Sequence, residues 1–292
     1  MPKRNVLLTA LAIVGLLLGV GVGLRSKRYS LHRDSALVGL PRTVDVPRCG
    51  EVTFGPSETA RRLARAYMRS AKLVYKPVKT YSKVRPERAR RIAEAYDAMA
   101  DSPSDPGVTA AYRAMIDETL AQYQFVKKAG LTIELIDANQ ADPYRDSPRL
   151  AILDIVQNKH LWLYPTAIGF GSEDDGSFND GNPLLETTDE LIGDVRLCAN
   201  DVFRIVHDYF GHFKEGVGFR ADGEENAWRC HAAMYSRLAL GAITTELRGQ
   251  NSWLNYGPCG DKNRTASAAE TYYAMQKIGL LPTWAWDEGR ED

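Results

Sequence analysis

The chain has 292 residues, 44% of them hydrophobic and 25% charged, which is enough apolar material for a full core and carries no compositional sign of disorder. Its 37 Lys and Arg balance 37 Asp and Glu, so nucleic acid is not an expected partner, although residues 61–91 are locally basic. The four cysteines, Cys49, Cys198, Cys230 and Cys259, contain no CxxC pair, which argues against a zinc ribbon or a thioredoxin-like motif and suits free thiols.

In chain order, Val6 to Leu24 is a run of nineteen residues without a charge, long enough to cross a bilayer core as a helix. Lys3 and Arg4 precede it and Arg25, Lys27 and Arg28 follow it, so residues 1–28 are expected to be an uncleaved single-pass anchor. Basic residues on both sides leave the side of the membrane unassigned. Residues 29–56, with Pro41, Pro47 and Pro56, are expected to be a polar tether ahead of one soluble domain, residues 57–292.

Three amphipathic helices are expected next: one capped by Ser57 and running to Tyr75, one from Pro86 to Met99, and one from Asp105-Pro106 to Lys128, stopped by Gly130. The alternation in Leu131–Ile136 predicts a strand, residues 148–158 a short helix, and His160–Tyr164 a second strand. The Gly- and Asp-rich stretch 169–194 has no periodicity and reads as a long surface loop, a candidate lid. Helices are then expected at 201–212, 223–242, 244–255 and 266–278. The fold class is mainly α with a small β-sheet (α+β), a single globular domain behind an N-terminal transmembrane helix.

Chemistry concentrates between Asn200 and Pro258. Three of the five histidines, His207, His212 and His231, fall within twenty-five residues, together with Asp208, Glu215, Glu224 and Glu225. Neutral imidazole with carboxylate is the ligand set of a borderline divalent metal, Fe(II) or Zn(II). His207 and His212 are five residues apart, roughly 140° on an ideal helix, so they can share an ion only if the turn at Gly211 opens. Glu224 and His231, seven apart, share a helix face beside Glu225 and Arg229, as a polar layer behind the metal, as a salt-bridged surface, or with His231 itself a ligand in place of one of the pair. Arg248 and the Gln and Asn residues after it suit a polar pocket wall able to orient an anionic or amide-bearing ligand.

His207-Asp208-Tyr209-Phe210-Gly211-His212 resembles the His-Glu-x-x-Gly-His segment of the tetrahydropterin-dependent aromatic amino acid hydroxylases, and Thr244-Thr245-Glu246-Leu247-Arg248-Gly249 resembles their Thr-x-Glu-x-Gly setting. The likeness covers about fifty of the 292 residues, has Asp208 where the family has Glu, and does not extend to the family's substrate-binding segments. It implies a 2-His-1-carboxylate iron site of His207, His212 and Glu246, with Asp208, Glu225 and Arg248 as candidate catalytic side chains. The function so implied is a membrane-anchored non-haem iron oxygenase acting on a small-molecule substrate. A metal-dependent hydrolase is the alternative, since His207-Asp208 is also the dipeptide of HD-type phosphohydrolases, with only His160 and Asp261 to complete that set. A non-enzymatic envelope protein, whose polar centre only joins helices, is the third.

Overall fold

The computed structural model describes residues 41–75, 80–137, 139–169, 181–266 and 270–287. The expected anchor (1–28) and the first part of the tether lie outside them, and among the described residues no helix is long and apolar enough to cross a membrane. The described chain is mainly helical, with three separate two-stranded sheets instead of one.

The last part of the expected tether is folded. Strands β1 (Arg42–Val46) and β2 (Gly50–Phe54) form an antiparallel hairpin. Val46 and Phe54 pack on Ile152, Leu153 and Phe219, so the domain begins earlier than Ser57. Helix α1 (Glu58–Ser70) starts as expected, with Ser57 Oγ accepting from Ala60 N at 3.3 Å. It stops short of Tyr75 because Lys72 turns left-handed, at φ 58°.

Helices α2 (Pro86–Ala98) and α3 (Pro106–Lys128) both open on proline, whose missing N–H costs nothing in the first turn. Asp105 Oδ1 caps α3 by accepting from Gly107 N at 2.8 Å and Val108 N at 3.0 Å. Strand β3 (Thr132–Leu135), helix α4 (Arg149–Asn158) and strand β4 (His160–Leu163) make a parallel β-α-β unit, pairing Thr132 with His160.

A short α5 (Thr166–Gly169) follows, and then a departure from expectation: the described part of the 169–194 stretch is ordered structure, not loop. Residues 183–185 form a 3₁₀ turn, and strands β5 (Thr187–Ile192) and β6 (Val195–Cys198) turn back on each other at Gly193. Residues 170–180 of the expected lid lie outside the described residues.

Helix α6 (Ala199–His207) is the centre of the molecule, with every one of its residues buried. Phe203 joins Tyr112 and Met115 of α3 and Trp228 in one apolar cluster. Ile205 and Val206 face the other way, into a cluster with Tyr67, Met68 and Leu161. Burying each such side chain contributes about 1.5–3 kcal/mol, so α6 is held from both sides. Its first turn is fixed by Asp201, which accepts from Cys198 N at 3.1 Å and from Thr166 N at 2.8 Å.

The C-terminal part is α7 (Ala221–Ala232), α8 (Leu240–Thr244), α9 (Gln250–Tyr256) and α10 (Gly260–Asn263). The single helix expected over 223–242 is broken after α7, where Ser236 N is taken by Glu118 Oε2 at 2.7 Å. No α-helix forms in the described part of 266–278. Its backbone polar groups go to other elements: Tyr272 N to Asn263 Oδ1 (2.9 Å), Ile278 N to Asp101 Oδ1 (2.8 Å), and Ile278 O to Ser102 N (2.8 Å). Tertiary hydrogen bonds have replaced the i→i+4 ladder that propensity favours.

Asn263 holds this strap with Nδ2 bonds to Leu254 O and Tyr272 O, both 2.8 Å, besides the bond it accepts. Asn263→Ala should destabilise the protein by about 1–3 kcal/mol in urea unfolding while leaving helical circular dichroism unchanged. A loss of helix signal would mean that the strap is not an independent layer.

Candidate metal centre

After His207 the helix does not end. Residues 208–213 continue as one widened π-helical turn, with Lys214 N bonded to Tyr209 O at 2.9 Å, five residues back. In an i→i+5 turn, residues five apart come nearly into line, whereas on α6 itself they would diverge. The ring centroids of His207 and His212 are therefore 4.9 Å apart, edge to face. Gly211 makes this packing possible, because a Cβ there would sit 2.8 Å from the Cε1 and Nδ1 atoms of His207.

The carboxylate that completes the group is Glu224, on the first turn of α7. Gly223 lets that turn press onto the chain at Gly218, whose carbonyl oxygen a Cβ would overlap. Neighbouring Phe219 stacks on the His212 ring at 4.0 Å. Glu224 Oε2 lies 3.4 Å from His212 Nε2 and 3.9 Å from His207 Nε2. Donor atoms of His207, His212 and Glu224 all fall within 4.8 Å of one another, the one such group of His, Cys, Asp and Glu among the described residues. All three side chains are 1–3% exposed.

Glu246, expected as the third ligand, is not in this group. Its carboxylate is taken up in a separate buried network, accepting from Tyr112 Oη at 2.5 Å, Gln250 Nε2 at 2.9 Å and Gln276 Nε2 at 3.1 Å. The Thr244–Gly249 segment also contains a widened turn, residues 245–249, that aims Glu246 at α3. The candidate catalytic residues Glu225 and Arg248 bond to each other: Arg248 Nε and Nη2 reach the Glu225 oxygens at 3.0 and 2.5 Å, and Nη1 donates to Ala285 O at 2.6 Å. Asp208 is buried beside His207, and burial, opposed by Arg204 and aided by Glu224, pushes its carboxyl up to about 8. It therefore carries a proton at neutral pH.

Electrostatics suit a cation. Burial pulls His207 down to about 4 and His212 down to about 3, so both imidazoles are neutral and offer lone pairs at pH 7. Burial also raises Glu224. His207 Nε2 and both Glu224 oxygens have no hydrogen-bond partner, and each buried orphan of this kind costs about 1–3 kcal/mol.

His231 fixes the direction of the His207 lone pair. Its Nε2 lies 3.2 Å from Gln122 Oε1, an acceptor, so that nitrogen carries the hydrogen when the amide is oriented this way. Its Nδ1 is then an acceptor for His207 Nδ1, 3.1 Å away, which leaves His207 Nε2 unprotonated and facing Glu224. His231 thus stands directly behind His207, a supporting place among those its shared face with Glu224 suggested.

Glu224 with either imidazole has the spacing to hold a divalent ion. Two donors each roughly 2.1 Å from one ion are at most roughly 4.2 Å apart, and the 3.4 and 3.9 Å separations lie inside that limit. Three protein donors leave coordination positions open.

Two outcomes are expected. Gly211→Ala should displace the His207 ring and lower metal content sharply, read by elemental analysis, with helical content retained; normal metal loading would remove the packing argument. Glu246 is held up to about 7 by burial, against an ordinary 4.5, with Tyr112, Gln276 and Gln250 opposing. A raised carboxyl stabilises the fold below the unfolded value and loses that contribution as pH climbs through the folded one. Between pH 4.5 and 8 the wild type should lose on the order of 3 kcal/mol relative to Glu246→Gln in urea unfolding; parallel profiles would show that Glu246 titrates normally.

No family model matches the chain, and comparison with curated proteins and with solved structures returns no match.

Proposed function

We propose that the protein is a mononuclear metalloenzyme, most simply a non-haem iron oxygenase tethered to a membrane by residues 6–24, with His207, His212 and Glu224 as the metal ligands. The observation that carries metal binding is that donor atoms of His207, His212 and Glu224, one from each, lie within 4.8 Å of one another in a buried spot where His207 Nε2 and the Glu224 oxygens have no hydrogen-bond partner. Two imidazoles and one carboxylate without thiolate suit Fe(II), and the same set also suits Zn(II).

Bound Fe(II) would supply redox chemistry with dioxygen at its open positions. The chain's own residues do the rest. Gln122 and His231 hold His207 in the ligating tautomer, Phe219 braces His212, and Gly211 lets the two rings approach. Asp208, buried and next to His207 in the chain, is the candidate for proton transfer at the centre.

Burial of all three donors favours a second reading, in which the ion staples α6 to α7 and performs no chemistry. Nitric oxide binding to the anaerobic Fe(II)-loaded protein separates them. A nitrosyl signal in electron paramagnetic resonance supports a site with an accessible open position; its absence supports the staple, and tight stoichiometric zinc with hydrolysis of a phosphodiester supports the hydrolase.

Removing a group that merely supports a ligand lowers metal affinity about 10–100-fold, and removing the ligand itself should exceed that. His207→Ala, His212→Ala and Glu224→Ala should each purify with little metal, whereas Glu246→Ala should load like wild type. Equal loading of all four would refute the ligand assignment.

A further inference from the structure

Tyr209 and Phe213, on the widened turn that carries His212, also line a groove of about 510 Å³. Leu131, from the residue before β3, and Ile155 and Val156 of α4 line it too, as do Pro41 and Pro56 on either side of the β1–β2 hairpin. Val156 is 59% exposed, so part of this apolar wall lies open. The volume falls within the roughly 300–1,000 Å³ typical of small-molecule sites.

The polar groups of the lining are few and partly used. Ser57 Oγ caps α1 by accepting from Ala60 N at 3.3 Å, and Thr53 Oγ1 is 2.9 Å from Thr43 Oγ1. The lining holds one charged residue, Lys159, which is exposed and makes no ion pair among the described residues. Asp154, the carboxylate whose backbone Lys159 bonds, is itself engaged by Tyr144, Asn158 and His160. Lys159 ends α4 in the left-handed conformation, at φ 51°, with its N–H on Asp154 O and its carbonyl accepting from Thr132 N at 2.9 Å. Glycine or asparagine is the usual residue at such a helix end, because a longer side chain is strained there. A lysine that tolerates this strain at the edge of an apolar groove points to a use for its ammonium.

We propose that this groove binds an aliphatic carboxylate, with the hydrocarbon chain on the apolar walls and the carboxylate paired with Lys159. One cation and no acid in the lining set a single negative charge on the ligand. Walls with so few free donors and acceptors suit hydrocarbon better than a sugar or a peptide, and a chain laid along Leu131 and Val156 takes their exposed surface out of water. A ligand seated here packs on Tyr209 and Phe213, and so braces the turn that carries His212. The site rests on neither the metal nor the membrane reading.

The test is photo-crosslinking of the full chain in phosphatidylcholine nanodiscs with dodecanoate carrying a terminal diazirine, the labelled peptides being located by mass spectrometry. Label is expected on residues 129–131, 155–159 and 209–213, and an excess of dodecanoate should displace it where dodecanol and dodecylamine do not. Lys159→Asn suits the left-handed backbone and removes the charge, so labelling should fall about threefold, the worth of an exposed ion pair, with circular dichroism unchanged. Val156→Glu, also at an exposed position, should lower it further by setting a like charge in the groove. No label in the groove, as expected if a protein segment covers it, would overturn the proposal. So would label confined to residues 6–24, equal displacement by dodecanol, or unchanged labelling in either folded variant.

Discussion

The candidate centre depends on one local deformation, the widened turn that follows α6. An unbroken α-helix through residues 207–213 would carry His212 away from His207, and the apolar contacts of Tyr209 and Phe210 would rotate with it. Inserting the wider turn keeps those aromatic side chains in the core and still aligns the imidazoles. Such turns are uncommon and recur at functional sites, since they trade regular hydrogen bonding for a side-chain arrangement that the α-helix cannot make.

That deformation is tolerated because α6 is clamped on all sides. Its apolar residues face two clusters, Asp201 locks its first turn, and Arg61 of α1 ties down the far end of the widened turn by pairing with Glu215 at 2.7 Å. Ser57 N adds a bond to Lys214 O at 3.0 Å. Rigid surroundings hold the three donors together even though their lone pairs repel. With net stabilities of only about 5–15 kcal/mol, several unsatisfied polar groups in one spot are a sizeable cost, and a cation that accepts all of them reverses its sign.

Much of the scaffold was legible in the sequence because it follows local rules. Ser57, Pro86 and Asp105-Pro106 announced helix starts that the structure has, and the alternation around Ile133 and Leu161 marked two paired strands. What was not legible depended on partners distant in sequence. The 270–281 strap has helical composition but spends its backbone groups on Asn263, Asp101 and Ser102, and the 187–198 hairpin hid in a stretch without strong periodicity. The two histidines were readable from residue type and from Gly211. The carboxylate was not, because Glu224 and Glu246 are both buried glutamates on helical turns and only the packing of Gly223 against Gly218 and of Tyr112 against Glu246 separates their roles. The one sequence signal for Glu224 was its shared helix face with His231, which stands directly behind His207.

The central claim is that one metal ion sits between His207, His212 and Glu224. Crystals of the metal-loaded protein, measured above and below the iron and zinc absorption edges, locate and identify the ion in one experiment. A single anomalous peak within about 2.0–2.2 Å of His207 Nε2, a His212 ring nitrogen and a Glu224 oxygen is the predicted result. A peak beside Glu246, or none in the chain, would contradict it.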